Sequence, residues 1–294
     1  MIERRNVFDG VAIGEDMLSM EHITKIYDNG FVANKDVNFS VRKGEIHGLV
    51  GENGAGKTTL MKVLFGQEIP EEGRILIAGQ PSKVQSPLDA LAYGIGMVHQ
   101  HFMLVNSLTV AENMVLGDEP VKGMLFDRAK ARQMTAEVAK QYELDVDPDA
   151  LVSDLSVGYK QRVEILKMLL RGAKLLLLDE PTAVLTPQET KELFVQLKKL
   201  REKGFSIVFI SHKLGEIKEI CDRITVLRLG RYEGTVDVKD VSEADISRMM
   251  VGRDVFLNIK KEKAQPKETV LQVRGLNFYN KLGIHTLKDV SFDL

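Results

Sequence analysis

The chain has 294 residues, 44% apolar and 28% charged, an ordinary globular composition with room for one large or two modest domains. A formal charge of −2 gives no argument for nucleic acid or an anionic membrane surface as partner. Its one cysteine, Cys221, excludes an internal disulfide and suits a reducing compartment, and no apolar run approaches the roughly 18 residues of a membrane span.

The first residues, MIERRNVFDG, are charged and lack the apolar stretch of a signal peptide; residues 1–16 are expected to be an N-terminal extension, tag-like or disordered. At 45–65 the chain reads EIHGLVGENGAGKTTLMKVLF. The apolar run Ile46 to Val50 predicts a buried parallel strand, and Leu60, Met61 and Leu64 share one face of a following helix. Between them Gly51 to Thr58 fits G-x-x-x-x-G-K-[ST], in the strand–loop–helix context the motif requires. The glycines let backbone N–H groups approach phosphate, and the helix N-terminus adds partial positive charge. Lys57 brings a full charge to the terminal phosphates and Thr58 a hydroxyl for Mg²⁺. The nucleotide-binding set expected here is Gly51, Asn53, Gly54, Ala55, Gly56, Lys57, Thr58 and Thr59.

The interval from Lys57 to the next carboxylate pair is longer than simple P-loop enzymes need. It holds MVHQHFML (97–104), then largely helical sequence to about 150, then LSVGYKQRVEILKMLLRG (155–172). That last piece predicts an amphipathic helix with Val163, Leu166, Met168 and Leu170 among its apolar residues. Its Ser156 start is a second anion site, which two copies facing each other can bring to one phosphate. KLLLLDEPTAVLTPQE (174–189) then predicts a buried strand, Leu175–Leu178, delivering Asp179 and Glu180 at its carboxyl end, where parallel α/β sheets place ligands. Asp179 suits the outer shell of Mg²⁺; Glu180, expected to point the other way along the strand, suits a base for the attacking water. Thr186, Pro187 and Glu189 spell a helix start. SIVFISH (206–212) is a third apolar strand, ending at His212, a candidate sensor of the γ-phosphate.

The P-loop at 51–58, Gln100, LSVGY at 155–159, the Asp179–Glu180 pair and His212 together resemble the ATP-binding subunit of an ABC transporter over about residues 17–250. The resemblance implies an α/β fold: a P-loop NTPase (RecA-like) core with an antiparallel β subdomain and an inserted α-helical subdomain at about 100–165. It implies ATP and Mg²⁺ as ligands, with Tyr27 of KIYDNG stacking on adenine. It also implies that Gln100 watches Mg²⁺ and water and couples to a membrane partner, and that Ser156 and Gly158 clamp the ATP of the opposite half. Glu180, His212, Gln100 and Lys57 then carry catalysis, and Thr58, Gln100 and Asp179 hold the metal. From the residues alone Tyr27 also reads as a strand-end core aromatic, and Gln100 between His99 and His101 as a metal loop. Two departures stand out. Val157 and Tyr159 replace the usual Gly and Gln of the signature, and Thr186 stands where the family has Asp, which puts communication between two ATP sites in doubt.

The end of the chain repeats its beginning. Leu18 aligns without a gap on Leu271, Gly30 on Gly283, Lys35-Asp36-Val37 on Lys288-Asp289-Val290 and Phe39 on Phe292. The expected organisation is an ATPase domain (17–250), a charged Pro-containing linker (251–268), and the start of a second, truncated ATPase domain (269–294), whose own P-loop would fall beyond Leu294. This arrangement, with the spellings MVHQHFMLV, DEPTAVLTPQE and MVGRDV, resembles the fused two-domain ATPases of simple-sugar and nucleoside importers and leans toward nucleosides. The resemblance implies permease subunits, a solute-binding protein, a second ATPase half or a homodimer, and a peripheral place on the cytoplasmic face of the cell membrane, without nucleic acid. The dock for the permease is expected near 100–120, on exposed apolar residues such as Phe102 and Leu104. The competing reading is a soluble tandem ATPase acting on ribosomes or nucleic acid.

Overall fold

The computed structural model describes residues 7–253, 268–280 and 283–294. It falls into two compact units, Met1–Val255 and Phe256–Leu294.

In the first unit β1 (Asp16–Ile26) and β2 (Val32–Arg42) form an antiparallel hairpin. Alternation sends Leu18, Met20, Ile23, Val37, Phe39 and Val41 inward, where all are buried. β3 (Ile46–Val50) is buried along its whole length and feeds α1 (Lys57–Leu64). β4 (Glu72–Ile77) and β5 (Gln80–Ser82) complete a four-stranded antiparallel sheet in the order β2-β1-β4-β5. Then come α2 (Pro87–Ala92), started by its Ser86 cap, and β6 (Ile95–Val98).

The stretch expected to be helical to about 150 is less uniform. It holds α3 (Val110–Val115), a short hairpin of β7 (Val121–Lys122) and β8 (Leu125–Phe126), and α4 (Arg128–Tyr142). Gly117 and Gly123, both with positive φ, open the chain for that hairpin. α5 (Val157–Leu170) packs on α3 and α4 and also on β6, so it joins the helical insertion to the core.

β9 (Leu175–Asp179), α6 (Pro187–Glu202), β10 (Ser206–Ile210), α7 (Leu214–Ile220), β11 (Arg223–Arg228), β12 (Arg231–Asp237) and α8 (Glu243–Val251) follow. They complete a six-stranded sheet ordered β12-β11-β3-β10-β9-β6, parallel except for the antiparallel edge strand β12. β3, β9 and β10 are apolar runs because helices cover both faces of a parallel sheet.

The extension expected over 1–16 is corrected where the structure describes it. Phe8 is only 3% exposed and belongs to the core. Lys43 Nζ donates to the carbonyls of Phe8 and Val11, at 2.8 and 2.7 Å, fastening this segment to the turn after β2. One aromatic among turn residues makes no periodic signal, so the sequence did not reveal it. Residues 1–6, and most of the linker expected over 251–268, lie outside the described residues.

The second unit is a hairpin of β13 (Gln272–Tyr279) and β14 (His285–Asp293). Its register repeats that of β1 and β2. Met20 faces Phe39 and Val273 faces Phe292; Ile23 faces Val37 and Leu276 faces Val290; Ile26 faces Val32 and Tyr279 faces His285. The irregular step recurs as well, with left-handed residues at His22 and Asp36 in one hairpin and at Gly275 and Asp289 in the other.

Phe8→Ala is expected to lower stability by about 3–5 kcal/mol, the usual cost of emptying a buried phenylalanine site. Urea unfolding of the chain checks it, and a change within error would return residues 7–15 to the status of an appendage.

Candidate functional site

The central parallel strands β3, β10 and β9 lie side by side and end at the same edge. Gly51 leaves β3, Ser211 and His212 leave β10, and Asp179 closes β9. Adjacency of strands distant in sequence thus assembles the site.

The loop after β3 is shaped by its glycines. Gly56 caps α1 in the left-handed region (φ 94°), and a Cβ there would stand 2.4 Å from the Ala33 carbonyl oxygen. Asn34 Nδ2 donates to the Gly56 carbonyl at 3.2 Å, holding the turn from below. The first N–H groups of α1, at Lys57, Thr58 and Thr59, have no partner within the helix, as at any helix N-terminus. A cleft of about 360 Å³ opens there, lined by Phe31, Ala33, Asn53, Gly54, Ala55, Gly56, Lys57, Thr58, Thr59, Gln100 and Glu180. The structure therefore brings together every expected P-loop residue except Gly51, which lies behind the wall: a Cβ on it would meet the Leu227 carbonyl oxygen at 2.3 Å.

Lys57 is folded back onto its own loop, its Nζ donating to the carbonyls of Gly51 (2.8 Å) and Glu52 (3.0 Å). Burial pushes its pKa down, while Glu180 and Asp179 nearby pull it up. Asp179, 5% exposed, is pushed up by burial, with Glu180 adding to the shift and Thr58 and Lys57 opposing it. Thr58 Oγ1 donates to Asp179 Oδ1 at 3.4 Å. A hydroxyl beside an under-compensated buried carboxylate is an oxygen set that fits a hard divalent cation, with Gln100 on the same cleft.

Glu180 is placed differently from the expectation. It is not the next residue of a strand pointing the opposite way. β9 ends at Asp179, and Glu180 takes a left-handed conformation (φ 47°) with its N–H donating to the Ile210 carbonyl at 3.1 Å. This turn aims its carboxylate into the cleft, where Oε1 accepts from His212 Nδ1 at 2.9 Å. His212 does not itself line the cleft; it holds Glu180.

Tyr27 is also off the cleft wall. Its hydroxyl sits 3.2 Å from Thr59 Oγ1, so it braces the P-loop, and the aromatic that lines the cleft is Phe31. Phe31, 56% exposed, stands on the tight turn closed by Gly30 N–H to the Tyr27 carbonyl (2.8 Å) and Tyr27 N–H to the Phe31 carbonyl (2.9 Å). The sequence signal for Phe31 was its place four residues after Tyr27 in a turn ending on a Gly.

Ser156 and Gly158 are not part of this cleft. They start α5, with Ser156 Oγ accepting from Tyr159 N–H at 3.4 Å. The exposed apolar residues in the expected docking stretch are Met103 (59%) and Val105 (39%); Phe102 and Leu104 are half-buried, Leu104 against the core. Neighbouring residues on an irregular loop alternate, and it is the other pair that faces out.

The buried Asp179 implies a conflict between stability and ligand binding. With its pKa raised, the folded state holds more protons than the unfolded state between the ordinary and raised values, so stability falls as pH climbs through that window and stays lower at neutral pH. Asp179→Asn is expected to raise the melting temperature at neutral pH, by about 2–4 °C for each kcal/mol regained, while abolishing the Mg²⁺ dependence of nucleotide binding. Thermal melts at neutral pH, with and without MgATP, check both effects.

Residues 34–183 match the family model described as ABC transporter. Among curated relatives, a nucleoside import ATP-binding protein of Lactococcus lactis is 48% identical over 95% of this chain, and a glucose import ATP-binding protein of Haloferax volcanii is 45% identical over 94% of it. The chain spans about half the length of these relatives, 55% of each. A solved ATP-binding cassette of an ABC transporter in its ADP conformation superposes with a TM-score of 0.68 at 25% identity, covering 80% of this chain and 94% of that one. With the P-loop, the carboxylate pair and the signature helix in one α/β unit, the chain belongs to the ABC transporter family.

Proposed function

We propose that the chain binds and hydrolyses ATP as the motor of an importer, moving nucleosides or simple sugars through partner permeases. The observation that carries this reading is the convergence of the P-loop, Gln100 and Glu180 on one cleft, with Asp179 bonded to Thr58 and His212 to Glu180, and with a second phosphate-type donor set, Ser156 and Gly158, on a separate helix start. The names of the nucleoside and sugar import relatives support the cargo class, and the nucleoside relative is the more similar of the two.

The residues divide the work as follows. The N–H groups of the loop and of Lys57, Thr58 and Thr59 receive the phosphates. Lys57 exchanges its two carbonyl partners for phosphate oxygens, so its charge is met by charge rather than by dipoles. Thr58, Asp179 and Gln100 would hold Mg²⁺, which supplies neutralisation of charge on the transferring phosphoryl group. Glu180 accepts a proton from the attacking water, and His212, donating to Oε1, leaves the second oxygen for that water. Phe31 covers the base, and Tyr27 supports the loop through Thr59 rather than stacking alone.

Ser156 and Gly158 close on the nucleotide of a facing ATPase half. That half is supplied by a second domain beginning at 269–294, after a linker over 251–268, or by a second copy of the chain. Residues 17–250 form the first ATPase domain. The motor attaches to the cytoplasmic side of the membrane through permeases that a solute-binding protein feeds; among the described residues no helix is long and apolar enough to cross a membrane. Met103 and Val105 supply the apolar contact for the permease.

Glu180→Gln is expected to retain ATP binding and to lose turnover by a factor of about 10²–10⁴, the range for removing a general base. Phosphate release by the complex isolated with its permeases measures it, and turnover like the parent's would remove Glu180 from that role. Phe31→Ala is expected to weaken ATP binding about five- to hundredfold, the scale of one lost base–aromatic stack, and to leave inorganic tripolyphosphate binding unchanged. Calorimetry with both ligands separates base contact from phosphate contact; equal losses for the two would count against it.

A further inference from the structure

The donors at the start of α5 are already taken. Glu189, in the first turn of α6, sends its two carboxylate oxygens to two different helix starts. Oε2 accepts from Thr186 N–H (3.0 Å) and Thr186 Oγ1 (2.9 Å), closing the capping box of its own helix. Oε1 accepts from the Gly158 N–H at 3.1 Å and lies 3.4 Å from Ser156 Oγ. The contact is close enough that a Cβ on Gly158 would stand 2.8 Å from this oxygen. The Thr186 N–H and hydroxyl, with smaller help from Gly158 and Ser156, hold the carboxyl below its usual range, so it is an anion at neutral pH.

A capping box does not need this reach. In α8 the shorter Asp245 closes the same box on Ser242, with Ser242 N–H donating to it at 3.0 Å. The second arm of Glu189 is therefore surplus to capping and is spent on the signature helix.

We propose that Glu189 is a resident competitor for the phosphate-binding donors of Ser156 and Gly158. Its Oε1 occupies the place that a terminal phosphate oxygen, bound on the facing ATPase half, must take when the halves close. The inference rests on the reading of Ser156 and Gly158 as a clamp across two halves. Gly158 has one N–H to donate, and two anions sharing it would repel. Closure therefore requires Oε1 to swing away while Oε2 keeps α6 capped. The displacement sets a threshold: ATP brings a terminal phosphate that can take over the donors, and ADP does not.

The test uses the whole chain carrying Glu180→Gln, so that bound ATP persists, and follows ATP-driven self-association by sedimentation velocity across a MgATP titration. Two further chains add Glu189→Gln, which keeps a capping acceptor without the charge, or Glu189→Asp, which keeps charge and cap without the reach. Both are expected to associate at about tenfold lower ATP, the scale of one charge-assisted hydrogen bond no longer broken on closure, with unchanged thermal unfolding in the absence of ATP. If the Glu180→Gln chain associates and both added changes leave its ATP threshold the same or raise it, Glu189 is only a strap between two helices and the proposal is overturned. If none of the three associates although each binds ATP, the facing-halves reading fails for this chain and the inference falls with it.

Discussion

The site depends on one constraint: ionised groups held at the carboxyl edge of strands that have no contact with water. Lys57 and Asp179 are both buried, and burial pushes each toward its neutral form. Among the described residues neither has a direct ion-pair partner; Lys57 is met by two carbonyls and Asp179 by one hydroxyl. A dipole is a poor substitute for a counter-charge in such a place, so the cluster is more stable with a polyanion and a cation added than without them. The opposite end of β3 resolves the same problem internally. His47, fully buried, donates from Nδ1 to Glu45 and accepts at Nε2 from Thr225, which ties β3 to β11 without any ligand. Burial holds that imidazole neutral.

The same logic connects the cleft to the inserted helices. The loop that follows Gln100 is fastened to α5 by the backbone of Met103, whose N–H donates to Glu164 Oε1 at 2.5 Å and whose carbonyl accepts from Lys167 Nζ at 3.4 Å. Glu164 and Lys167 lie one turn apart and are both buried, so the bracket is short and stiff. Asn113 of α3 grips the next part of the loop, accepting from Val105 N–H at 2.7 Å and donating to the Val105 carbonyl at 3.0 Å. The outward Met103 and Val105 are thus fastened to α5 and α3 through the side chains of Glu164, Lys167 and Asn113.

Much of this was legible in the sequence because strand ends are easy to find. A run such as LLLLD or SIVFISH announces both a buried strand and the polar residue that leaves it, and the parallel sheet then dictates where that residue lies. The P-loop, Asp179, Glu180 and His212 were placed on that rule, and the Thr186–Pro187–Glu189 helix start on capping chemistry. What escaped was set by conformation or by long-range contact. Glu180 owes its direction to a left-handed turn that no alternation encodes. Phe31 and Tyr27 differ in place because a tight turn puts Phe31 on the cleft and the Tyr27 hydroxyl against Thr59. Phe8 is a single anchor with no periodic neighbours, and the second arm of Glu189 joins helices whose sequences say nothing of each other's position.

The repeated hairpin separates what a backbone must conserve from what side chains can change. The register, the irregular step and the turn recur: Gly30 N–H donates to the Tyr27 carbonyl and Gly283 N–H to that of Asn280, while His22 N–H donates to Asn38 Oδ1 and Gly275 N–H to Ser291 Oγ. These features follow from alternation, one turn glycine and one short polar acceptor, so they survive substitution. The side chains around them do not recur. Asn280 stands in the position of Tyr27, and Ile284 in that of Phe31. The backbone pairing of the hairpin thus recurs although the residues at its turn differ, Tyr27 and Phe31 in one and Asn280 and Ile284 in the other.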